Sequence, residues 1–154
     1  MREFTDQLND FIVRAKAATY IGSGRESSAS RPGSHGLAFR EGAFQYLDGY
    51  FGGADFIGEE VVYFEKKPVW AMNYYGRILK PESITAEETG KILKQSLSQL
   101  YLENRFLGGY KLIDGRDTYF DTNEGNLETF TGKEWIERDG ARVYELIYHG
   151  GLIK

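Results

Sequence analysis

Two segments of the chain place their apolar positions three and four residues apart, the spacing of one face of a helix. The first runs from Asp6 to Tyr20, with Thr5 before it as a candidate N-cap. The second follows Thr85, which forms a capping-box pattern with Glu88. The predicted buried stripes are Leu8, Phe11, Ile12, Ala15 and Thr19 in the first segment, and Ile92, Leu93, Ser96, Leu97 and Leu100 in the second. We therefore predict two amphipathic helices.

Runs of aromatic and β-branched residues follow each predicted helix and are interrupted by turn sequences. Such runs are typical of antiparallel strands joined by hairpins. We expect about four strands after each helix, and Pro81 begins the joint between the two halves. The turn sequences are Glu41-Gly42, Gly52-Gly53 and Lys66-Lys67-Pro68 in the first half, and Asp114-Gly115, Gly125-Asn126 and Asp139-Gly140 in the second.

The last predicted strand of each half alternates with period two, so its side chains divide between two faces. One face carries bulky residues in both halves, which predicts that it packs under the helices. The opposite face carries Asn73, Tyr75, Glu145 and His149, and we look for function there. The residues assigned to the core are Trp70, Met72 and Tyr74, their counterparts Tyr144, Leu146 and Tyr148, and also Trp135.

The two halves also resemble each other in sequence. Residues 56–80 align without a gap on residues 130–154, and 7 of these 25 pairs are identical. Upstream the match continues at an offset of 73, which pairs Asp48 with Asp121. We predict an α+β fold built as a tandem pseudo-repeat, in which each unit is a helix plus about four antiparallel strands and both helices pack on one face of the sheet. The chain is then a single domain, residues 1–154, made of two pseudo-repeats at about 5–80 and 85–154. The sequence does not decide between one continuous sheet and two facing sheets.

Composition excludes several classes of function. The chain of 154 residues has no cysteine, so thiol catalysis, thiolate metal sites and disulfides are excluded. Its net charge of -4 and the lack of a run of Lys or Arg argue against direct nucleic-acid binding. We find neither a signal sequence nor a membrane-spanning run, and we expect a cytoplasmic protein without membrane contact. No cofactor and no metal site are predicted, because the two histidines do not make one alone.

The clearest difference between the halves is the loop from Ile21 to Gly36. It holds five serines, four glycines, two arginines and a histidine, whereas the second half bridges the same gap with only Leu102 to Gly109. Free backbone N–H groups, hydroxyls and guanidiniums are the parts of an anion-binding site. A flexible, solvated linker is the alternative, and whether the loop is ordered stays open.

The candidate ligand-binding residues come from this loop and from the second strand face. Glu60 recurs as Glu134, which indicates a structural task such as a cross-strand pair with a cation, whereas Glu59 is replaced by Lys133 and is free to specialise. The full candidate set is Arg31, Ser34, His35, Glu59, Asn73, Tyr75, Arg77 and His149.

Four separated motifs give the chain a resemblance to a known family. They are residues 30–35 (Ser-Arg-Pro-Gly-Ser-His), 52–60, 68–77 and 149–154. The chain resembles an uncharacterised bacterial domain family of unknown function. Members of that family occur alone and as the C-terminal module of putative helix-turn-helix transcriptional regulators. The resemblance implies a sensor-like role and no known activity.

Three functions therefore stand as hypotheses. The first is a domain that binds a polar small molecule, anionic or phosphorylated, through the eight candidate residues. The second is a small hydrolase or lyase that uses His35 or His149 as the base, with Glu59 orienting it. The third is a protein-protein interaction module, and a homodimer stays open.

Overall fold

The structure is a computed structural model that describes residues 2–21 and 26–154. Helix α1 spans Arg2–Lys16 and continues into a π-helical turn at Ala17–Ile21, and helix α2 spans Ala86–Leu102. Part of the predicted anion-binding loop, residues 22–25, lies outside the described residues. Among the described helices, none is long and apolar enough to cross a membrane.

The described strands form one antiparallel sheet of nine strands in the order β1-β2-β3-β4-β5-β9-β8-β7-β6. Strands β5 and β9, the last strand of each half, therefore lie side by side in the middle of the sheet. The strands are β1 Glu26–Ser27, β2 His35–Glu41, β3 Phe44–Gly52, β4 Phe56–Phe64, β5 Lys67–Ile78, β6 Tyr110–Asp114, β7 Asp117–Asn126, β8 Thr129–Arg138 and β9 Ala141–Leu152.

The α+β class is confirmed, and of the two arrangements left open by the sequence the structure has the single continuous sheet. Each half contributes the four predicted antiparallel strands, and β1 adds a short ninth strand within the first half. The strand order is compatible with a tandem duplication. The duplication itself, the single-domain organisation and the packing of both helices on one face stay predictions.

The two helices begin differently. The N-cap residue of α2 is Thr85, and its hydroxyl accepts a hydrogen bond from the backbone N–H of Glu88 while the Glu88 carboxylate accepts one from the Thr85 N–H. This capping box confirms the sequence pattern. The N-cap prediction for α1 is wrong, because that helix begins at Arg2 and contains Thr5 in its second turn.

Alternation along the central strands places the core as expected. Trp70 and Tyr144 are fully buried, and Met72, Leu146 and Tyr148 are nearly so. Trp135 is an exception, because it lies half-buried on the other side of strand β8, where its ring stacks on Phe120 at 4.9 Å between centroids. The core assignment of Trp135 was wrong because its neighbours Glu134 and Ile136 occupy the buried side of that strand.

Candidate functional site: a cavity lined by acidic and tyrosine side chains

A cavity of about 480 Å³ lies against the face of the sheet that carries Asp48 and Asp121. We call this side of the sheet the cavity face and the opposite side the outer face. Lys16 of α1 and Leu93 of α2 also line the cavity, so the two helices and the sheet all contribute walls to it. A volume of this size is typical of a site for a small organic ligand, roughly 300–1,000 Å³.

Four carboxyl groups in two cross-strand pairs dominate the polar lining. Asp48 on β3 lies directly opposite Glu60 on β4, and Asp121 on β7 lies directly opposite Glu134 on β8. Each of the four residues is no more than 7% exposed. Directly opposite side chains have Cβ atoms about 5 Å apart, and like charges at that separation repel. The sheet therefore holds two close, buried carboxyl pairs.

A tyrosine of a central strand donates a hydrogen bond to the aspartate of each pair. The Tyr74 hydroxyl lies 2.6 Å from Asp48 Oδ1, and the Tyr148 hydroxyl lies 2.7 Å from Asp121 Oδ1. Tyr74 and Tyr148 are themselves cross-strand partners on β5 and β9. The two hydrogen bonds thus start from adjacent positions in the middle of the sheet and run outward to either side.

Each tyrosine reaches its aspartate across a glycine of the strand between them. Gly58 lies opposite Tyr74, and Gly132 lies opposite Tyr148. A β-carbon added at Gly58 would overlap the Tyr74 hydroxyl and ring, and one added at Gly132 would overlap the Tyr148 ring. The glycines are therefore required by close packing of the tyrosines over the strand.

The two glutamates have different partners. Glu60 Oε2 accepts a hydrogen bond from Lys16 Nζ at 2.6 Å, a buried ion pair with both side chains at most 10% exposed. Glu134 instead accepts hydrogen bonds from the hydroxyls of Tyr119 at 2.6 Å and Tyr144 at 3.2 Å. The expected pairing of Glu60 with a cation is present, although the lysine comes from helix α1 rather than from a neighbouring strand.

Burial changes the acidity of these groups. Desolvation raises the pKa of Glu134 to about 7, and the neighbouring Asp121 adds to the effect. Desolvation also raises the pKa of Asp121 to about 6, while hydrogen bonds from Tyr148 and Asn123 oppose the rise. The pKa of Asp48 is raised by burial first and by the charge of Glu60 second. Protons are therefore retained in this cavity at a pH where exposed carboxyls have lost theirs.

The mouth of the cavity is formed by exposed residues of three elements. The turn between β3 and β4 contributes Gly53 and Ala54, and the first turns of α2 contribute Ala86 and Lys94. Glu26 on strand β1 completes this set. The wall residues of the cavity include Tyr20, Tyr50, Phe56, Met72, Leu97, Tyr101, Phe106 and Leu146.

Five of the eight residues predicted from the sequence lie together on the outer face. Asn73 has Glu59 and His149 as its cross-strand partners, and all three are exposed. Tyr75 and Arg77 follow on the same side of β5. Because Met72 and Tyr74 of that strand point into the cavity, these five side chains point away from it.

The outer-face residues have few strong contacts among themselves. Arg77 forms an ion pair with Glu145 at 3.1 Å, so its guanidinium already has a partner. Glu59 and His149 lie on strands two positions apart, with Asn73 between them, which separates their backbones by about 10 Å. A direct His–Glu hydrogen bond of the kind a general base requires is therefore not formed here.

The other three predicted residues lie at the sheet edge. Ser34 stabilises a turn, because its hydroxyl accepts from the Arg31 N–H at 3.1 Å and donates to the Arg31 carbonyl at 2.7 Å. His35 begins β2, and its ring lies 5.0 Å from that of Tyr50, which lines the cavity. The structure thus places His35 on the cavity side and does not bring it to the five outer-face residues. Ligand binding by the eight residues stays a prediction.

The residues that build the cavity were visible in the sequence as recurrences. Asp48 recurs as Asp121 and Tyr74 as Tyr148 in the alignment of the two halves. Positions that differ between the halves were predicted to be functional, whereas recurring positions such as Glu60 and Glu134 were predicted to be structural. The signal that could have identified the site was the recurrence of acidic residues on strand faces otherwise occupied by buried side chains.

In residues 2–21 and 26–154, no group of three or more His, Asp or Glu side chains is arranged to hold a metal ion. Buried carboxyl pairs of this kind are suited to hydrogen bonding, proton exchange and attraction of a positively charged group.

Comparison with known proteins adds the family. No curated protein and no solved structure matches the chain. The family described as Domain of unknown function (DUF5680) matches residues 48–153, which include all four carboxyls and both central tyrosines of the cavity. The chain therefore belongs to the DUF5680 family.

Proposed function

We propose that the chain is a small-molecule-binding, sensor-like domain whose ligand occupies the acid-lined cavity. The observation that carries this proposal is the cavity of about 480 Å³, into which both carboxyl pairs and the tyrosines of two central strands converge. Ordinary protein cores are packed to crystal-like density. A void of this size with ordered polar walls is therefore typical of a ligand site.

The geometry of the polar groups supports the same proposal. Asp48, Asp121 and Glu134 are oriented by tyrosine hydroxyls, so they are pre-organised before a ligand arrives. Buried carboxyls contribute little to stability and are costly to maintain. Their presence in both halves is easier to understand as a requirement of binding than as a requirement of folding.

The family context fits a sensor. The resemblance described above places related domains alone or behind a helix-turn-helix DNA-binding domain in bacterial regulators. Because of this resemblance, the proposal includes a bacterial origin and a cytoplasmic, regulator-associated role. A module in such a position commonly binds a small effector, which is an argument by analogy.

The test uses thermal unfolding against amines, alcohols, amino acids, nucleotides and sugar phosphates. A ligand at about 100 times its dissociation constant adds about 2.7 kcal/mol, which raises the midpoint by roughly 5–10 °C. A Gly90→Phe variant should abolish that shift, because Gly90 lines the cavity and has open space beside it.

Gln99→Phe is the matched control, because Gln99 is exposed on the same helix and does not line the cavity. It should retain the shift. A shift of equal size in the Gly90→Phe variant would place the ligand elsewhere and refute the proposal. An absence of any shift across the panel would also count against it.

A second candidate is self-association through the outer face. Ile57, Tyr75 and Ile147 are cross-strand neighbours there and are 54%, 46% and 55% exposed. A row of adjacent exposed apolar side chains is typical of an interaction surface. Sedimentation velocity should then show a dimer that Ile147→Lys dissociates and that Gln99→Lys, at an exposed position of helix α2, does not. A monomer at all concentrations would contradict this candidate.

A further inference from the structure

The charges around the cavity do not balance. Among the residues that the structure describes, five acidic side chains and two lysines line it. Lys94 is exposed at the mouth, and Lys16 is paired with Glu60. Among the described residues, no ion pair includes the carboxyl groups of Asp48, Asp121 or Glu134. Three buried carboxyls therefore face the cavity without a direct ion pair, although burial raises the pKa of all three and Lys16 opposes that rise from a distance.

One carboxylate oxygen also lacks a hydrogen-bond donor. Asp48 Oδ1 is bonded to the Tyr74 hydroxyl, but no described residue donates to Asp48 Oδ2, although the residue is only 7% exposed. Among the described residues, the side-chain polar atoms that are fully buried and have no hydrogen-bond partner are Trp70 Nε1 and Ser96 Oγ. Asp48 Oδ2 is not one of them, so this oxygen retains some accessible surface. An acceptor is thus available where the cavity reaches Asp48.

We propose that this cavity binds an organic amine whose ammonium group is held by Asp48 and whose apolar or aromatic body lies against the helix side of the cavity. This inference rests on the proposed function and names the class of its ligand. An ammonium group supplies three donors and the missing positive charge, and hydrogen bonds between charged partners are about twice as strong as neutral ones.

The remaining walls suit the rest of such a ligand. Leu93 and Leu97 of α2 and Leu146 of β9 offer apolar surface to its body. The rings of Tyr20 and Tyr101 line the same space, and aromatic faces attract cations within about 6 Å. The combination of carboxylates, aromatic rings and apolar side chains is the chemistry that recognises an amine with an apolar body.

Other ligand classes fit the cavity less well. An anion would approach three buried carboxyls, and at low dielectric that repulsion is costly; Lys94, a described lining residue without an ion pair, lies exposed at the mouth and away from them. A metal ion would need a group of three or more ligating side chains, and the described residues contain none. A neutral alcohol could hydrogen-bond to protonated carboxyls, so the experiment must separate it from the amine.

Three probes of nearly equal shape make that separation: tryptamine, tryptophol and indole-3-acetate end in an ammonium, a hydroxyl and a carboxylate group. We expect calorimetry near pH 7 to show tryptamine binding at least about tenfold more tightly than tryptophol, and indole-3-acetate binding least. Tryptamine should also release protons, because it favours the ionised form of carboxyls whose pKa is raised.

Variants locate the ammonium group. Asp48→Asn should weaken tryptamine at least about tenfold while changing tryptophol little. Asp48→Ser removes the same carboxylate and provides a second test if the first variant folds poorly. Asp114→Asn removes an exposed carboxyl of β6 and should leave both affinities unchanged.

The outcomes separate this inference from the proposed function. Tryptophol or indole-3-acetate binding as tightly as tryptamine, with binding lost in Gly90→Phe, would overturn the amine inference and leave the cavity as a binding site. Tryptamine binding that Asp48→Asn and Asp48→Ser both retain would overturn the assigned residue. Binding of none of the three probes would overturn the amine inference as well, and a simultaneous failure of the wider panel would remove the proposed function.

Discussion

Replacement of Glu134 by glutamine should increase the stability of the variant relative to the wild type as the pH rises. Glu134 is 6% exposed, and its carboxylate is bonded to two tyrosine hydroxyls and to no cation among the described residues. Burial raises its pKa from an ordinary 4.5 to about 7. The folded protein therefore holds this proton in a range where the unfolded chain releases it.

The sign follows from proton linkage. Below pH 4.5 the glutamate is protonated in both states and its titration contributes nothing. Between 4.5 and about 7 the folded state binds more protons than the unfolded state, so the free energy of unfolding falls as the pH rises. Above about pH 7 this loss of unfolding free energy is complete, and it amounts to roughly 3 kcal/mol for a pKa shift of this size.

The variant has no such penalty, because glutamine does not titrate. Glutamine keeps an oxygen that can accept from Tyr119, so its pH-independent cost is limited to about 1 kcal/mol for altered hydrogen bonding. The difference in unfolding free energy, variant minus wild type, should then rise by roughly 2.5 kcal/mol between pH 5 and pH 8.

Urea unfolding at several pH values measures this difference directly. Glu124→Gln serves as the control, because Glu124 is exposed on the neighbouring strand and its replacement should give no comparable gain. A difference that stays constant from pH 5 to pH 8, or that falls with pH, would refute the claim that a buried proton is held at Glu134.

Three further changes test the packing around the cavity. Lys16→Met should destabilise the fold by about 3 kcal/mol or more, because it leaves Glu60 buried without its cation; addition of Glu60→Gln should recover part of the loss in urea unfolding. Gly132→Ala should cost about 1–3 kcal/mol through overlap with a tyrosine ring, whereas Gly90→Ala, with open space in helix α2, should gain about 0.5–1 kcal/mol; equal effects in thermal unfolding would contradict the packing argument. Thr85→Ala should cost about 1 kcal/mol by removing the capping box of α2, and an unchanged unfolding midpoint would show that the cap contributes nothing.

Local patterns in the sequence predicted much of this architecture. The spacing of apolar residues located both helices, and alternation assigned Trp70 and Tyr144 to the core, because burial depends on side-chain periodicity within one element. The start of α1 was missed because the helix extends upstream of Thr5 to Arg2, where Phe4 packs on Phe44 and Phe64 from distant strands.

The cavity could not be derived in the same way. It depends on which strands become neighbours, and nothing local specifies that β5 lies beside β9. Without that pairing, Asp48 and Asp121 are two recurring acidic residues with no evident relation to each other. The Gly- and Ser-rich loop at residues 21–36 was predicted to bind an anion because its composition is distinctive, whereas buried carboxyls are identified only when the tertiary structure shows their burial.

The central position of β5 and β9 has a consequence for how the protein folds. Trp70 pairs with Leu152 and Ile78 with Tyr144, partners that are 82 and 66 residues apart in the chain. Each half can form its own hairpins from strands that are adjacent in sequence. The two halves join into one sheet only when the distant strands β5 and β9 pair. Pairing of strands across so long a loop costs more conformational entropy than closing a hairpin, so this non-local pairing is the slow step. Until the strands meet, both present unpaired backbone groups, so the slowest step of folding is also the step at which two molecules could exchange halves.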